Sequence, residues 1–371
     1  MSGNLLNKRH VMEAPRNIDF QMDILKQIFD NLDELEEVSL LPSNSILRHA
    51  LTFHASKRFE KLISLYPFIN YYYVGILQKC GSLVRCFKNV GHDLDDYSLI
   101  LIEKYCTNLQ SMYLNMNEKN CARIKRFISN FKTLKSVEII VTSVATPEIL
   151  NALKDIQNLR SLKLLKFVGN EAEGIHYLLG LENLSLAAHI QTTTINVFDL
   201  CSPLKNLRSL SLAGFRDCQP NTENHEFTLE ELKIGAGCAI NANWPCFPRL
   251  KTISARFSSY SLTPGREEWI LKHSETLEKL ILSSGITRKQ FINILKSCKN
   301  LSYMEMQLFG MIMDITFVIE IINILKDKGF TAQKPFKIYL NDLTTQFKDL
   351  LVDTPDSNII SIPSPNEIFG L

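Results

Sequence analysis

Lys163 stands between Leu162 and Leu164, Lys233 between Leu232 and Ile234, and Lys279 directly before Leu280. Tyr113, Glu138, Ser185, Ser209, Ser211, Glu231, Tyr303 and Glu305 hold equivalent alternate positions among apolar neighbours elsewhere in the chain. Side chains of these types, held in a row, offer a partner ion pairs, hydrogen bonds and aromatic contacts. They do not by themselves make or break bonds. Sequence signatures of covalent chemistry are missing: there is no G-x-S-x-G, no H-E-x-x-H, no G-x-x-x-x-G-K-[ST] and no G-x-G-x-x-G. Gly235-Ala-Gly237 is a lone G-x-G, and no helix start follows it to hold a phosphate, so it reads as a turn. The 8 histidines are scattered, and His273, just ahead of an expected strand, reads as a surface residue. The 9 cysteines form no C-x-x-C pair and no metal-ligand cluster, so neither a metal nor a cofactor is expected. The expectation is a chain that recognises without catalysing.

The elements that would position these side chains follow from one pattern, Leu-x-x-Leu-x-Leu. It stands at Leu159-Leu162-Leu164, Leu181-Leu184-Leu186, Leu207-Leu210-Leu212, Leu229-Leu232-Ile234 and Leu277-Leu280-Leu282, with looser copies led by Leu109, Leu134, Leu250 and Leu301 and a degenerate first copy at Leu83-Cys86. Successive leading residues are 21–27 positions apart. The mean, about 24, lies within the roughly 20–29 residues of a leucine-rich repeat. Alternation within each triplet predicts a short strand whose leucines enter a core while the residues between them face an open, concave side. That side includes Ser111, Ser136, Ser161, Asn183, Thr252 and Ser254 beside the residues named above. Stacked units of this kind present an extended binding surface.

Between the strands, the spacing predicts return helices over Asp95–Cys106, Arg288–Ser297 and Asp314–Lys328, the last capped by Asp314 and stopped by Gly329. The stretch Gly235–Pro248, with two prolines, should return without a helix. A last strand is expected at Phe336–Leu340. Cys80, Cys106 and Cys298 each stand three residues before a leading leucine, which marks a repeated slot for a small apolar group. Upstream, helical spacing runs from Phe20 to Leu32 and again over Ile46–Leu65. The chain thus divides into a lead (1–17), a helical segment (18–67), a repeat array (68–352) and a tail (353–371).

Bulk composition narrows the partners. The chain has 371 residues, 45% hydrophobic and 22% charged, with a formal net charge of +2. That suits a folded protein and supplies no basic stripe for nucleic acid. The most apolar stretch, Leu308–Leu325, contains Asp314 and Glu320, which argues against a membrane span and requires Glu320 to be exposed or paired. The opening MSGNLLNKRHVMEAP has no apolar core of signal-peptide length, so a cytoplasmic or nuclear protein with reduced thiols is expected.

Two runs carry a family resemblance. Leu280 to Leu301, with Ile286-Thr287 and Cys298 before Leu301, resembles the cysteine-containing leucine-rich repeat, and Lys104 to Leu114 is similar. Phe20 to Leu32 resembles the first half of an F-box, Leu-Pro-x-Glu-Ile-Leu-x-x-Ile-Phe-x-x-Leu, with Phe20, Ile24, Leu25, Ile28, Phe29 and Leu32 in its apolar positions. Together they resemble the F-box and leucine-rich-repeat proteins. The resemblance implies an α/β leucine-rich-repeat solenoid, a curved parallel strand array with outer helices, preceded by a small helical F-box-like segment. It implies the substrate-recognition subunit of a Skp-cullin-F-box ubiquitin ligase: the six apolar residues would meet a Skp-type adaptor of the cullin complex, and the repeats would hold a target protein. The alternative is a leucine-rich-repeat scaffold without a ligase role, its N-terminal helices serving as a cap.

Overall fold

A computed structural model describes residues 60–64, 71–89, 95–141, 147–167, 174–188, 196–215, 227–238, 240–256, 261–307, 313–340 and 343–363. The lead, the F-box-like run Phe20–Leu32 and all but the end of Ile46–Leu65 lie outside the described residues. The chain divides after Leu109 into two compact units.

In the first unit, strand β1 (Lys61–Ser64) is followed by helix α1 (Tyr71–Cys80), strand β2 (Cys86–Asn89) and helix α2 (Asp96–Tyr105). The two strands pair in parallel, Lys61 against Cys86 through Ser64 against Asn89. Two expectations are corrected here. The helical reading of Ile46–Leu65 fails at its end, because the amides of Arg85 and Cys86 both donate to Glu60 O, drawing Lys61–Ser64 into the ladder. The first repeat copy is also out of frame by one residue. Val84, Phe87 and Asn89 are the buried set, while Leu83 is only half-buried and Cys86 points away from the core. A slip of one residue exchanges the two faces of a strand, so the frame is decided by which set the core accepts. Helix α2 begins as expected, with Asp95 accepting from Ser98 N at 2.8 Å.

The second unit repeats one plan. Its strands are β3 (Ser111–Met116), β4 (Ser136–Val141), β5 (Ser161–Phe167), β6 (Asn183–Ala188), β7 (Ser209–Ala213), β8 (Glu231–Ile234), β9 (Thr252–Ala255), β10 (Lys279–Gly285), β11 (Tyr303–Gln307), β12 (Phe336–Leu340) and β13 (Ile360–Ser361). Each pairs in parallel with the next in chain order. The order and the repeat spacing together are those of a leucine-rich-repeat array. Its spine is an unbroken register row, Met112, Val137, Leu162, Leu184, Leu210, Leu232, Ile253, Leu280, Met304 and Ile338, no member more than 2% exposed. The return helices are α3 (Cys121–Ser129), α4 (Pro147–Leu153), α5 (Val197–Cys201), α6 (Pro264–Leu271), α7 (Arg288–Ser297), α8 (Ile315–Asp327) and α9 (Thr344–Val352). Thr287 opens α7 with a reciprocal capping box to Gln290, and Asp314 caps α8 by accepting from Phe317 N at 2.7 Å. Glu320, in the apolar run, is paired with Arg288 at 3.1 Å.

Successive repeats are tied by polar bonds as well as by the spine. In several units the residue before the leading leucine is Asn or Thr, and it donates to a carbonyl of the preceding repeat: Asn158 to Lys132 O, Asn206 to Leu179 O, Thr276 to Leu250 O and Asn300 to Glu275 O. The cysteine slot lies on the core side. Cys106 and Cys298 are fully buried, and desolvation pushes their thiols up to about 12 and about 11.

The return after β8 has no helix among its described residues, as its composition predicts. Gly237 takes a left-handed turn at φ +85°, and a Cβ at Gly235 would lie 2.7 Å from that of Ala213, so Gly235-Ala-Gly237 is a tight crossing. Aromatic rings fill the space a helix would occupy: Trp244 lies 5.1 Å from Phe198 and 5.7 Å from Trp269 between centroids. His273 belongs to this cluster and corrects the surface reading. It is 2% exposed, accepts from Phe247 N at Nε2 (3.1 Å) and therefore donates from Nδ1 to Trp269 O (3.0 Å). Burial drives its pKa down to about 4.

The C-terminal end also differs from expectation. The stretch from Asp353 is no tail as far as residue 363. A short 3-10 turn (Ser357–Ile359) leads into β13, which pairs Ile360 with Phe336, and Ile359 and Ile360 are buried. Lys326 holds the turn through Asp356. The apolar pair covers the last rung of the array, a role that the flanking prolines obscured.

Candidate interaction surface

Strand alternation places the predicted residues on one face of the second unit, in register. One row runs Ser111, Ser136, Ser161, Asn183, Ser209, Glu231, Thr252, Lys279, Tyr303 and Lys337. The next runs Tyr113, Glu138, Lys163, Ser185, Ser211, Lys233, Ser254, Ile281, Glu305 and Tyr339. All 17 outward-facing residues expected from the sequence lie in these two rows, a placement that bears on their position and not on what they bind.

Residues missed from the sequence complete the face. Strands β3–β7 extend past the leucine triplet and add a third row, Asn115, Ile140, Leu165, Ala187 and Ala213, half-buried and mostly apolar. The signal was present on β3 and β4, where buried Met116 and Val141 continue the alternation past the triplet, but Lys166 and Gly214 break it on β5 and β7. Ile281, Lys337 and Tyr339 were also missed: the first is apolar, and the others follow a strand without the leucine pattern.

The charged members hold one another. Lys163 Nζ lies 2.8 Å from Glu138, and Lys233 Nζ lies 2.9 Å from Glu231. Glu231 also accepts from Ser209 Oγ at 2.7 Å. Partial burial pushes the Glu231 carboxyl up, but the bonds from Ser209 and Lys233 and the charges of Lys233 and Lys279 outweigh it and hold it below its ordinary value. Tyr113 is shifted the other way: desolvation and the neighbouring Glu138 carboxylate raise its hydroxyl, partly offset by Lys163. Tyr303 donates to Glu305 at 2.9 Å, and Lys279 Nζ sits 4.4 Å from the Tyr303 ring centroid. The side chains thus orient one another across the face.

A second charged series lines one edge of the sheet, where the residue before each of strands β5–β10 alternates in sign. Arg160 pairs with Glu182 (3.5 Å), Arg208 with Glu230 (3.9 Å) and Lys251 with Glu278 (3.7 Å). These residues are exposed, so the pairs contribute little to stability. A shallow hollow of about 400 Å³ opens at this edge between Glu230, Lys251, Glu275 and Glu278. Among the described residues no group of three or more His, Cys, Asp or Glu side chains is placed to hold a metal, and no helix is long and apolar enough to cross a membrane.

No family model and no curated protein matches the chain. Among solved structures, it is similar to an internalin (inlF) from Listeria monocytogenes, with 15% identity over 80% of this chain and 94% of that one, at a TM-score of 0.42. It is also similar to TLR13 in a TLR13–ssRNA13 complex, with 15% identity over 67% of this chain and a TM-score of 0.41; the match spans 38% of that chain.

Proposed function

We propose that this chain is a non-catalytic recognition protein that binds a target protein across the outward strand face of the second unit. The observation that carries the reading is the pair of in-register outward rows, whose polar and charged groups are oriented by their own neighbours over an open surface. Such a surface suits a macromolecular partner, with the charges setting its orientation. We further infer, from the resemblance of Phe20–Leu32 to an F-box, that the chain is the substrate-recognition subunit of a Skp-cullin-F-box ubiquitin ligase in the cytoplasm or nucleus. In that reading Phe20, Ile24, Leu25, Ile28, Phe29 and Leu32 meet the Skp-type adaptor, and the ubiquitin chemistry belongs to other subunits.

One observation favours a second reading. Strand β1 extends repeat pairing upstream of residue 68, into the stretch assigned to the F-box-like segment. The N-terminal residues then serve as a cap on a scaffold without a ligase role. A pull-down of the full chain with purified Skp-type adaptor separates the two. The ligase reading expects binding that is lost in Ile28→Asp/Phe29→Asp while circular dichroism is unchanged. Absence of binding by the parent chain rejects it and leaves the scaffold.

A further inference from the structure

The two ends of the outward face differ in charge. On β4 and β5 one cation, Lys163, meets one anion, Glu138, at 2.8 Å. Across β8–β12 the outward cations are Lys233, Lys279, Lys337 and Arg256, the last one step beyond β9, where its amide continues the ladder to Ile234 O at 2.7 Å. The outward anions there are Glu231 and Glu305. Glu231 is engaged by Lys233 and Ser209, and Glu305 by the Tyr303 hydroxyl. Arg256, Lys279 and Lys337 have no carboxylate within 4.0 Å among the described residues.

Geometry gives this excess a direction. Lys279, Tyr303 and Lys337 occupy one row on three neighbouring strands. Strands lie about 4.8 Å apart, so Lys279 and Lys337 stand about 10 Å apart across the sheet, the reach of about three residues of an extended chain. Lys279 is steadied over the Tyr303 ring, and Ile281 offers an apolar contact in the adjoining row. Nucleic acid fits less well. Its phosphates follow one another without a break, and here the carboxylates of Glu231 and Glu305 stand in the same two rows as Lys279, Lys337 and Lys233.

We propose that the β8–β12 part of the face takes an acidic, extended polypeptide segment, its carboxylates meeting Arg256, Lys279 and Lys337. This rests on the reading of the outward face as the binding surface, and it adds the chemistry of the partner.

The test uses the full chain and three labelled peptides of equal length and aromatic content, one glutamate-rich, one lysine-rich and one neutral, followed by fluorescence anisotropy. The glutamate-rich peptide should bind best and weaken as salt is raised. Lys279→Glu/Lys337→Glu should weaken it about tenfold or more, whereas Lys289→Glu/Lys296→Glu, the same charge change on α7, should leave it within about twofold. Thermal melts of both variants exclude loss of fold as the cause. The proposal is overturned if the lysine-rich peptide binds as well, if both double variants lose affinity equally, or if a single-stranded oligonucleotide binds more tightly and is lost in the same variant. Preference for the neutral peptide, abolished by Ser185→Arg/Ser211→Arg, also overturns it but keeps the outward face as the binding surface. Absence of all peptide binding, with target capture unaffected by any of these variants, overturns both.

Discussion

The return after β8 and the return after β10 close the same kind of repeat with different materials. After β10 the chain forms α7, where Phe291, Ile292, Ile294 and Leu295 bury one stripe and a capping box fixes the start. After β8 its described residues form no helix, and Phe198, Trp244, Phe247, Trp269 and His273 fill the volume with ring-to-ring contacts of 5.0–5.9 Å. A helix satisfies its own backbone and needs only a modest apolar face. A helix-free return leaves amides and carbonyls to be matched one by one, which is why Trp269 Nε1 reaches Pro245 O and His273 takes the Phe247 amide. The lesson is that an outer layer with less regular backbone demands larger and more specifically bonded side chains.

Trp244→Ala removes a ring touching both Phe198 and Trp269 and should cost about 3–5 kcal/mol in chemical denaturation. A loss below about 1 kcal/mol would show that the aromatic cluster does not replace the helix. Leu210→Ala acts on the spine shared by all repeats and should cost about 2–5 kcal/mol, lowering the melting temperature clearly.

Acid should find the helix-free return. His273 has a folded pKa of about 4 against 6.5 for the free group. Below pH 6.5 the unfolded chain takes up a proton that the folded chain refuses, so this contribution is complete above 6.5 and is lost as pH falls toward 4. The difference amounts to about 3 kcal/mol. Denaturation midpoints across this window should converge for the parent and His273→Gln as pH falls; parallel curves would mean that the buried imidazole does not titrate as described. At the helical return, Thr287→Ala should cost about 1 kcal/mol by loss of the capping box. On the outward face, Lys163→Glu sets two carboxylates side by side in place of a partly exposed pair, so its stability cost should be about 1 kcal/mol. Target affinity should fall instead, and unchanged affinity for Lys163, Lys233 and Lys279 reversals together would move the binding surface elsewhere.

The repeat spacing was readable because each spine leucine needs the same environment, and a strand requires only alternation to reveal its faces. Asp314 was readable as a helix start because a cap acts within a few residues, whereas the caps at Asp95 and Thr287 emerged from the structure. The third outward row was legible on β3 and β4, where Met116 and Val141 continue the alternation, and not on β5 and β7, where Lys166 and Gly214 break it. His273 was not readable: its two ring nitrogens meet Phe247 N and Trp269 O, and the partner at residue 247 comes from the preceding repeat. The frame of β2 and the covering strand β13 were equally hidden, since both depend on which neighbouring strand accepts them.

Sequence alone determined the period and, for the strands with a clear leucine triplet, their faces and most side chains offered outward, because these follow from short-range alternation and recurring leucines. Tertiary structure decided which histidine is core, that the chain after Asp353 adds strand β13, and which outward charges neutralise one another among the described residues. Those outcomes depend on distances across neighbouring repeats, which the linear spacing of residues does not contain.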